Sequence, residues 1–262
     1  MFKLGQCFIT LVLMLVVAAP TRASTDDCVV ILMHGKWGST QSVSSFGRQL
    51  APTCDYESIE MPWSLRRNYD EPYLAAIGEI SKVLAAKRAK GYRRVLLAGH
   101  SFGANAAIAY MAERGDVDGV LAIGPGHVPA MFYHRGLTRD SVETARKLIA
   151  DGQGNDKAWF DDVNQGQRKS IRTSANVYFS YFDPVGIGDM PSSALRFKQA
   201  VPFLWLIGSA DGLQRAGPEF AFNKAPTHPR SRYVVINADH VGVLDGNGAM
   251  LVREWIEALD TP

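Results

Sequence analysis

Four short apolar runs, each released into a glycine-bearing turn, set the rhythm of this chain: Cys28 to Met33, Val95 to Ala98, Gly119 to Ile123 and Val201 to Ile207. Runs of this length, rich in Val, Ile and Leu and without polar alternation, predict strands buried on both faces of a parallel sheet. Cys54 to Ile59 and Arg232 to Ile236 predict two further strands. Helical patterns fall between them. Ser42 to Leu50 is one. Pro72 to Lys90 is another, with Leu74, Ile77, Ile80, Val83 and Leu84 at helical spacing as a core stripe and Gly91 closing it. Ala104 to Met111 is a small-residue helix, and Ser141 to Ala150 and Gly248 to Leu259 complete the set. Strands alternating with helices predict an α/β fold, a mostly parallel sheet with helices on both faces. The pattern weakens between His127 and Thr173, which carry a polar run. Asn176 to Phe182 reads as a strand before Asp183-Pro184, without an evident place in the sheet.

Composition changes this picture little. A chain of 262 residues with 47% hydrophobic content fills one ordinary core. The N-terminus is different in kind. Lys3, an apolar run from Phe8 to Ala19 and Thr21-Arg22-Ala23 predict an export signal over residues 1–23, cleaved before Ser24. The apolar run is too short to span a bilayer, so no membrane anchor is expected after cleavage. Cleavage removes Lys3 and Arg22 from the 28 basic residues and none of the 26 acidic ones. The mature charge then balances, which argues against nucleic acid or anionic lipid as partners. Cys7 leaves with the signal. Cys28 and Cys54 remain, each at the start of a strand. If those strands are parallel neighbours, the two thiols share one sheet edge, and an oxidising compartment, periplasmic or extracellular, favours a disulfide. No Cys/His spacing resembles a metal site, and no cofactor motif is present.

The candidate chemistry begins at Gly99-His100-Ser101-Phe102-Gly103, a G-x-S-x-G match between a strand and a helix. A serine on so sharp a strand-to-helix turn needs neighbours two residues away that lack a Cβ. The turn lifts the hydroxyl clear of the sheet and sets the next N–H at a helix N-terminus, where an oxyanion is stabilised.

This stretch resembles the nucleophile elbow of the α/β-hydrolase family, and the resemblance extends over residues 24–262. It implies a sheet of about six or seven strands, lacking the family's usual N-terminal antiparallel hairpin, with a small cap inserted at about residues 126–175. It gives the His34-Gly35-Lys36-Trp37 loop a second oxyanion N–H, from Lys36 or alternatively Trp37, beside that of Phe102. Because Lys36 acts there through its backbone, its side chain is expected to be dispensable. The family order of serine, acid and histidine makes His240 the base, since it alone of the six histidines follows the last strand. Asp211, in a Gly-Ser-Ala-Asp-Gly loop after a clear strand, is the first choice of acid, with Asp183 as the alternative. Asp239 adjoins the histidine and points apart from it, and Asp245 lies outside the family order. Ser101, His240 and Asp211 would form the catalytic triad. His34, Trp37, His100, His127 and Phe132 are expected in the substrate pocket, with Tyr133 and Trp159 also near it. The implied activity is hydrolysis of small carboxylic esters through an acyl-serine intermediate. A peptidase, amidase or thioesterase on the same triad, or a non-catalytic binding protein on this fold, are the alternatives.

Overall fold

The computed structural model describes residues 27–259. The expected signal, residues 1–23, lies outside the described residues.

Six strands form one sheet: β1 (Cys28–Met33), β2 (Asp55–Ile59), β3 (Arg94–Ser101), β4 (Gly119–Pro125), β7 (Phe203–Gly208) and β8 (Arg232–Ile236), with β5 (Lys157–Asn164) and β6 (Gln167–Ser174) in a separate hairpin. The spatial order is β2-β1-β3-β4-β7-β8, and every neighbouring pair is parallel. The apolar runs fill the centre because both sheet faces are covered. Val29, Ile31, Met33, Val95, Leu97, Phe203 and Trp205 face one core; Val30, Leu32, Leu96, Ala98, Leu204 and Leu206 face the other. The second core is closed by α1 (Gln41–Leu50) and by α8 (Gly246–Ala258), through Val43, Phe46, Val252 and Ile256. The first is closed by α2 (Tyr73–Ala89) and α3 (Phe102–Glu113). α3 is buried on every side as far as Ala112, and its alanines let it lie against the sheet. In α2 the stripe is narrower than expected. Ile77, Ile80 and Leu84 are buried, but Leu74 is 60% exposed, because Tyr73 and Ala76 take the inward positions of that first turn.

Cys28 and Cys54 are disulfide-bonded, with Cα atoms 5.0 Å apart. β1 and β2 are parallel neighbours with Val29 opposite Asp55, so the two cysteines fall at the same edge. In the chain-entropy picture, closing a loop of this length stabilises the fold by about 3 kcal/mol.

Between β4 and β7 the chain makes an insertion over residues 126–202, longer than the expected 126–175. It holds α4 (Pro129–His134), α5 (Arg139–Ala150), an antiparallel hairpin of β5 (Lys157–Asn164) and β6 (Gln167–Ser174), α6 (Ala175–Phe182) and α7 (Met190–Leu195). Two readings of this region are corrected. Asn176 to Phe182 is helix and not strand. Ser174 caps it, its hydroxyl accepting from the Val177 N–H, and Ala175, Tyr178, Tyr181 and Phe182 are buried at helical spacing. The polar run is the β5–β6 hairpin. Its two-residue turn, Gln165-Gly166, has positive φ at both positions (50° and 77°), the geometry that matches strand twist in a tight hairpin.

Candidate active site

The turn between β3 and α3 puts Ser101 at φ 55°, ψ −114°, a conformation costly for a residue with a Cβ. The surrounding glycines show why the spelling is obligatory. A Cβ on Gly99 would lie 2.0 Å from the Gly103 carbonyl carbon, and one on Gly103 would lie 2.5 Å from the Met33 oxygen. The strand, the turn and the helix are therefore closed on one another, and the serine is the residue pushed outward.

The carboxyl ends of β7 and β8 bring the partners. His240 Nδ1 lies 2.6 Å from Asp211 Oδ2. The carboxylate can only accept, so Nδ1 carries the proton and Nε2 keeps its lone pair. That Nε2 is buried and has no hydrogen-bond partner. Asp211 is held in turn, its Oδ1 accepting from the Leu213 N–H at 2.9 Å. Ser101 Oγ and His240 Cε1 approach the same point beside Gly126: a Cβ there would lie 2.7 Å from the first and 3.3 Å from the second. His100 supports the histidine loop, its Nε2–H donating to the His240 carbonyl at 2.8 Å. Burial, and then the nearness of His240, hold the His100 pKa down at about 4. It remains neutral and acts as a strut.

The other acids considered face elsewhere. Asp239 Oδ1 accepts from the N–H groups of Val241 and Gly242. Asp183 Oδ1 accepts from the Val185 N–H in the turn after α6. Asp245 stands at the start of α8. Of the four, only Asp211 reaches the His240 ring.

For the oxyanion, the Phe102 N–H opens α3 directly after Ser101, as the elbow requires. Trp37 is excluded as the second donor, because its N–H is already given to the Trp63 carbonyl at 2.9 Å. Lys36 remains. It lines the same cleft as Ser101, while the carboxamide of Asn164, the last residue of β5, donates to the Lys36 carbonyl at 3.3 Å.

The cleft over Ser101 has two lobes, one of about 300 Å³ and one of about 180 Å³. Lys36, Ser101, Asn164, Gln165 and His240 line both, so the hairpin tip stands over the serine where the lobes meet. His127, Phe132, Leu137 and Leu213 line the larger lobe, and His100 with Leu244 the smaller. A cavity of about 430 Å³ lies between β8 and α8, beside Trp255 and Val234. It is larger, but no nucleophile lines it, so the chemistry favours the cleft.

Four pocket expectations are corrected. His34 is fully buried; its Nε2 accepts from the Met61 N–H at 3.0 Å, so it fixes the loop and lines neither lobe. Burial lowers its pKa. Trp37 lines neither lobe either, its indole being taken up at 2.8 Å by Asp162. Tyr133 donates its hydroxyl to Glu143, and Trp159 is 67% exposed. His127 does border the larger lobe, stacked on Phe102 with ring centres 3.7 Å apart. Its Nε2–H donates to the Tyr181 carbonyl, and burial, with Lys36 nearby, keeps it neutral.

The residue the sequence concealed is Asp162. It is fully buried in β5, where Lys36 Nζ meets its Oδ1 at 2.5 Å and Tyr69 and Trp37 donate to its Oδ2 at 2.7 and 2.8 Å. Lys36 Nζ also donates to the Val163 carbonyl at 3.0 Å, beneath the rings of Phe102, Phe132 and Phe182. The side chain expected to be dispensable thus bolts the candidate oxyanion loop to the hairpin over the serine. Burial pulls the Lys36 pKa down, and Asp162 pushes it back up. Breaking such a pair from one side leaves a buried charge, a loss of about 3 kcal/mol. Lys36→Met is therefore expected to lower the melting temperature by about 6–12 °C for a domain of this size. Lys36→Met/Asp162→Asn should recover part of that loss, since no unpaired charge remains. Thermal melts of the three proteins check this, and an unchanged melting temperature in Lys36→Met would show that the pair contributes nothing.

Among the described residues, no group of three or more His, Cys, Asp or Glu side chains is placed to hold a metal ion. No helix among them is long and apolar enough to cross a membrane.

Comparison with known proteins agrees with this architecture. Residues 30–253 match the model of a family described as the alpha/beta hydrolase family. No curated protein sequence matches the chain. Among solved structures, the chain is similar to a monoacylglycerol lipase from Paleococcus ferrophilus, at 18% identity and a TM-score of 0.65 over 88% of this chain and 94% of that one. It is similar to a soluble variant of monoglyceride lipase from Saccharomyces cerevisiae, at 14% identity and a TM-score of 0.61 over 90% and 88%. It is also similar to a thioesterase domain from the curacin biosynthetic pathway, at 14% identity and a TM-score of 0.59 over 90% and 92%. At such identities the likeness is one of fold.

Proposed function

The chain belongs to the alpha/beta hydrolase family, and from that premise we propose that it is an exported serine hydrolase acting on small carboxylic esters. Ser101 is the nucleophile, His240 the base and Asp211 the acid that fixes it. The observation that carries this reading is the His240–Asp211 pair, which leaves an unclaimed Nε2 lone pair beside the strained Ser101. In the reaction, Nε2 takes the hydroxyl proton as Oγ attacks the ester carbonyl. The N–H groups of Phe102 and Lys36 receive the oxyanion, and His240 returns the proton to the departing alcohol. Water then repeats the sequence on the acyl-serine. Export is supported by the leader-like N-terminus and by the Cys28–Cys54 bond, which suits an oxidising compartment.

One preparation tests the whole reading. Protein recovered from the periplasm or medium of an exporting host is treated with a fluorophosphonate and weighed intact without reduction. The expected mass lacks residues 1–23, is two hydrogens short and carries one adduct, which peptide mapping assigns to Ser101. The untreated protein should cleave p-nitrophenyl esters faster than matching anilides. A folded protein that takes no adduct would overturn the serine-hydrolase reading. Faster anilide cleavage would make it an amidase, and a full-length mass would remove the export.

A further inference from the structure

The larger lobe has a chemical character that ester hydrolysis alone does not require. Its walls are apolar at Val128, Phe132, Leu137 and Leu213, which suits a methylene chain. Three charged side chains line it: Lys36, Asp211 and Arg135. Lys36 is paired with Asp162 at 2.5 Å, while Asp211, hydrogen-bonded to the neutral His240 ring at 2.6 Å, keeps its negative charge beside the catalytic histidine. Arg135, exposed at the end of α4, makes no salt bridge to a carboxylate among the described residues. Of the two acids on the next helix, Asp140 is exposed in its first turn and Glu143 is occupied by Arg146 at 2.7 Å and by the Tyr133 hydroxyl at 2.5 Å. The neighbouring Arg139 donates to the His134 carbonyl and lies over the Tyr133 ring. Ser101, these apolar walls and the solvent-exposed Arg135 thus border one lobe, and its guanidinium is a fork suited to a carboxylate.

We propose that this lobe receives an acyl group whose far end is a carboxylate, so that the favoured substrates are half-esters of dicarboxylic acids, with Arg135 as the residue that selects them. This rests on the assignment of Ser101 as the nucleophile. An apolar wall with a neutral end would serve fatty acyl esters equally well; the free guanidinium is what separates the two classes.

The probes are mono-p-nitrophenyl esters of succinate, glutarate, adipate and suberate, each compared with the neutral p-nitrophenyl alkanoate of matching length. At one chain length the wild type is expected to favour the carboxylate-tipped ester in kcat/KM by about tenfold, chiefly through KM, as a charge-assisted hydrogen bond allows. The preference should shrink with added salt, since the pair is at the rim. In Arg135→Gln the ratio between the two substrates should collapse toward unity. In Arg135→Glu it should invert, and an ester tipped with trimethylammonium should become the better substrate. A merely structural arginine would lower both substrates together and leave the ratio alone. If neutral esters are cleaved and no half-ester is preferred at any length, the inference is wrong and the ester reading stands. If neither class is cleaved, the ester reading itself fails.

Discussion

Ser101→Ala and His240→Ala should each lower ester turnover by about 10⁴- to 10⁶-fold, and the double variant should be scarcely worse than either. The non-additivity follows from the geometry. His240 Nε2 makes no hydrogen bond, and Ser101 Oγ and the His240 ring approach the same point beside Gly126, so the imidazole is the base at hand for the hydroxyl. Without the imidazole the hydroxyl is an ordinary alcohol, and without the hydroxyl the imidazole has nothing to deprotonate. What remains is binding and the oxyanion donors, which the two substitutions leave alike. Stability should move differently. Ser101 holds φ 55° with a Cβ in place, a conformation costing about 1–3 kcal/mol, and glycine adopts it without that cost. Ser101→Gly is expected to be inactive yet at least as stable as the wild type. Steady-state kinetics on a p-nitrophenyl ester and thermal melts of the three single variants check both halves. A residual turnover above about a tenth in Ser101→Ala or His240→Ala is incompatible with the proposed roles.

The contrast between strain and stability also explains which parts of the molecule were legible in the sequence. The sheet was legible because β1, β3, β4 and β7 are buried on both faces and must be apolar throughout. The elbow was legible because steric closure at Gly99 and Gly103 permits no other spelling. His240 and Asp211 were reached by chain order, and they lie in contact. The insertion was opaque for physical reasons. In β5 the inward positions are Phe160 and Asp162, so a carboxylate stands where alternation should show a hydrophobe. Its partners Lys36, Trp37 and Tyr69 are more than ninety residues away in sequence, and no local pattern announces the network. The Gln165-Gly166 turn was the available signal, a two-residue loop ending in glycine, and the polar flanks obscured it. α6 misled for another reason. Its order Val177-Tyr178-Phe179-Ser180-Tyr181-Phe182 is β-prone by composition, and Ser174 at its start was the mark of a helix.

Asp211→Asn should fold normally and lose about 10³- to 10⁴-fold in turnover, because an amide in that place fixes the wrong tautomer. In the wild type the two carboxylate oxygens divide their work. Oδ1 accepts from the Leu213 N–H at 2.9 Å, and Oδ2 accepts from His240 Nδ1 at 2.6 Å. Asparagine has one oxygen and one NH₂ group. The oxygen satisfies the Leu213 N–H and preserves the loop, which presents the NH₂ to His240. Nδ1 must then accept, its proton moves to Nε2, and the atom facing Ser101 becomes a donor that cannot take the hydroxyl proton. The positive charge that would form on the ring also loses its counter-charge. Nitrogen NMR of ¹⁵N-labelled histidine reads this directly, with the His240 proton on Nδ1 in the wild type and on Nε2 in the variant. Asp183→Asn is the matched comparison, since Asp183 serves only its own turn through the Val185 N–H. If Asp211→Asn kept wild-type turnover while Asp183→Asn were inactive, the acid would have to come from the loop after α6. The 2.6 Å contact between Asp211 and His240 would then have no part in the chemistry.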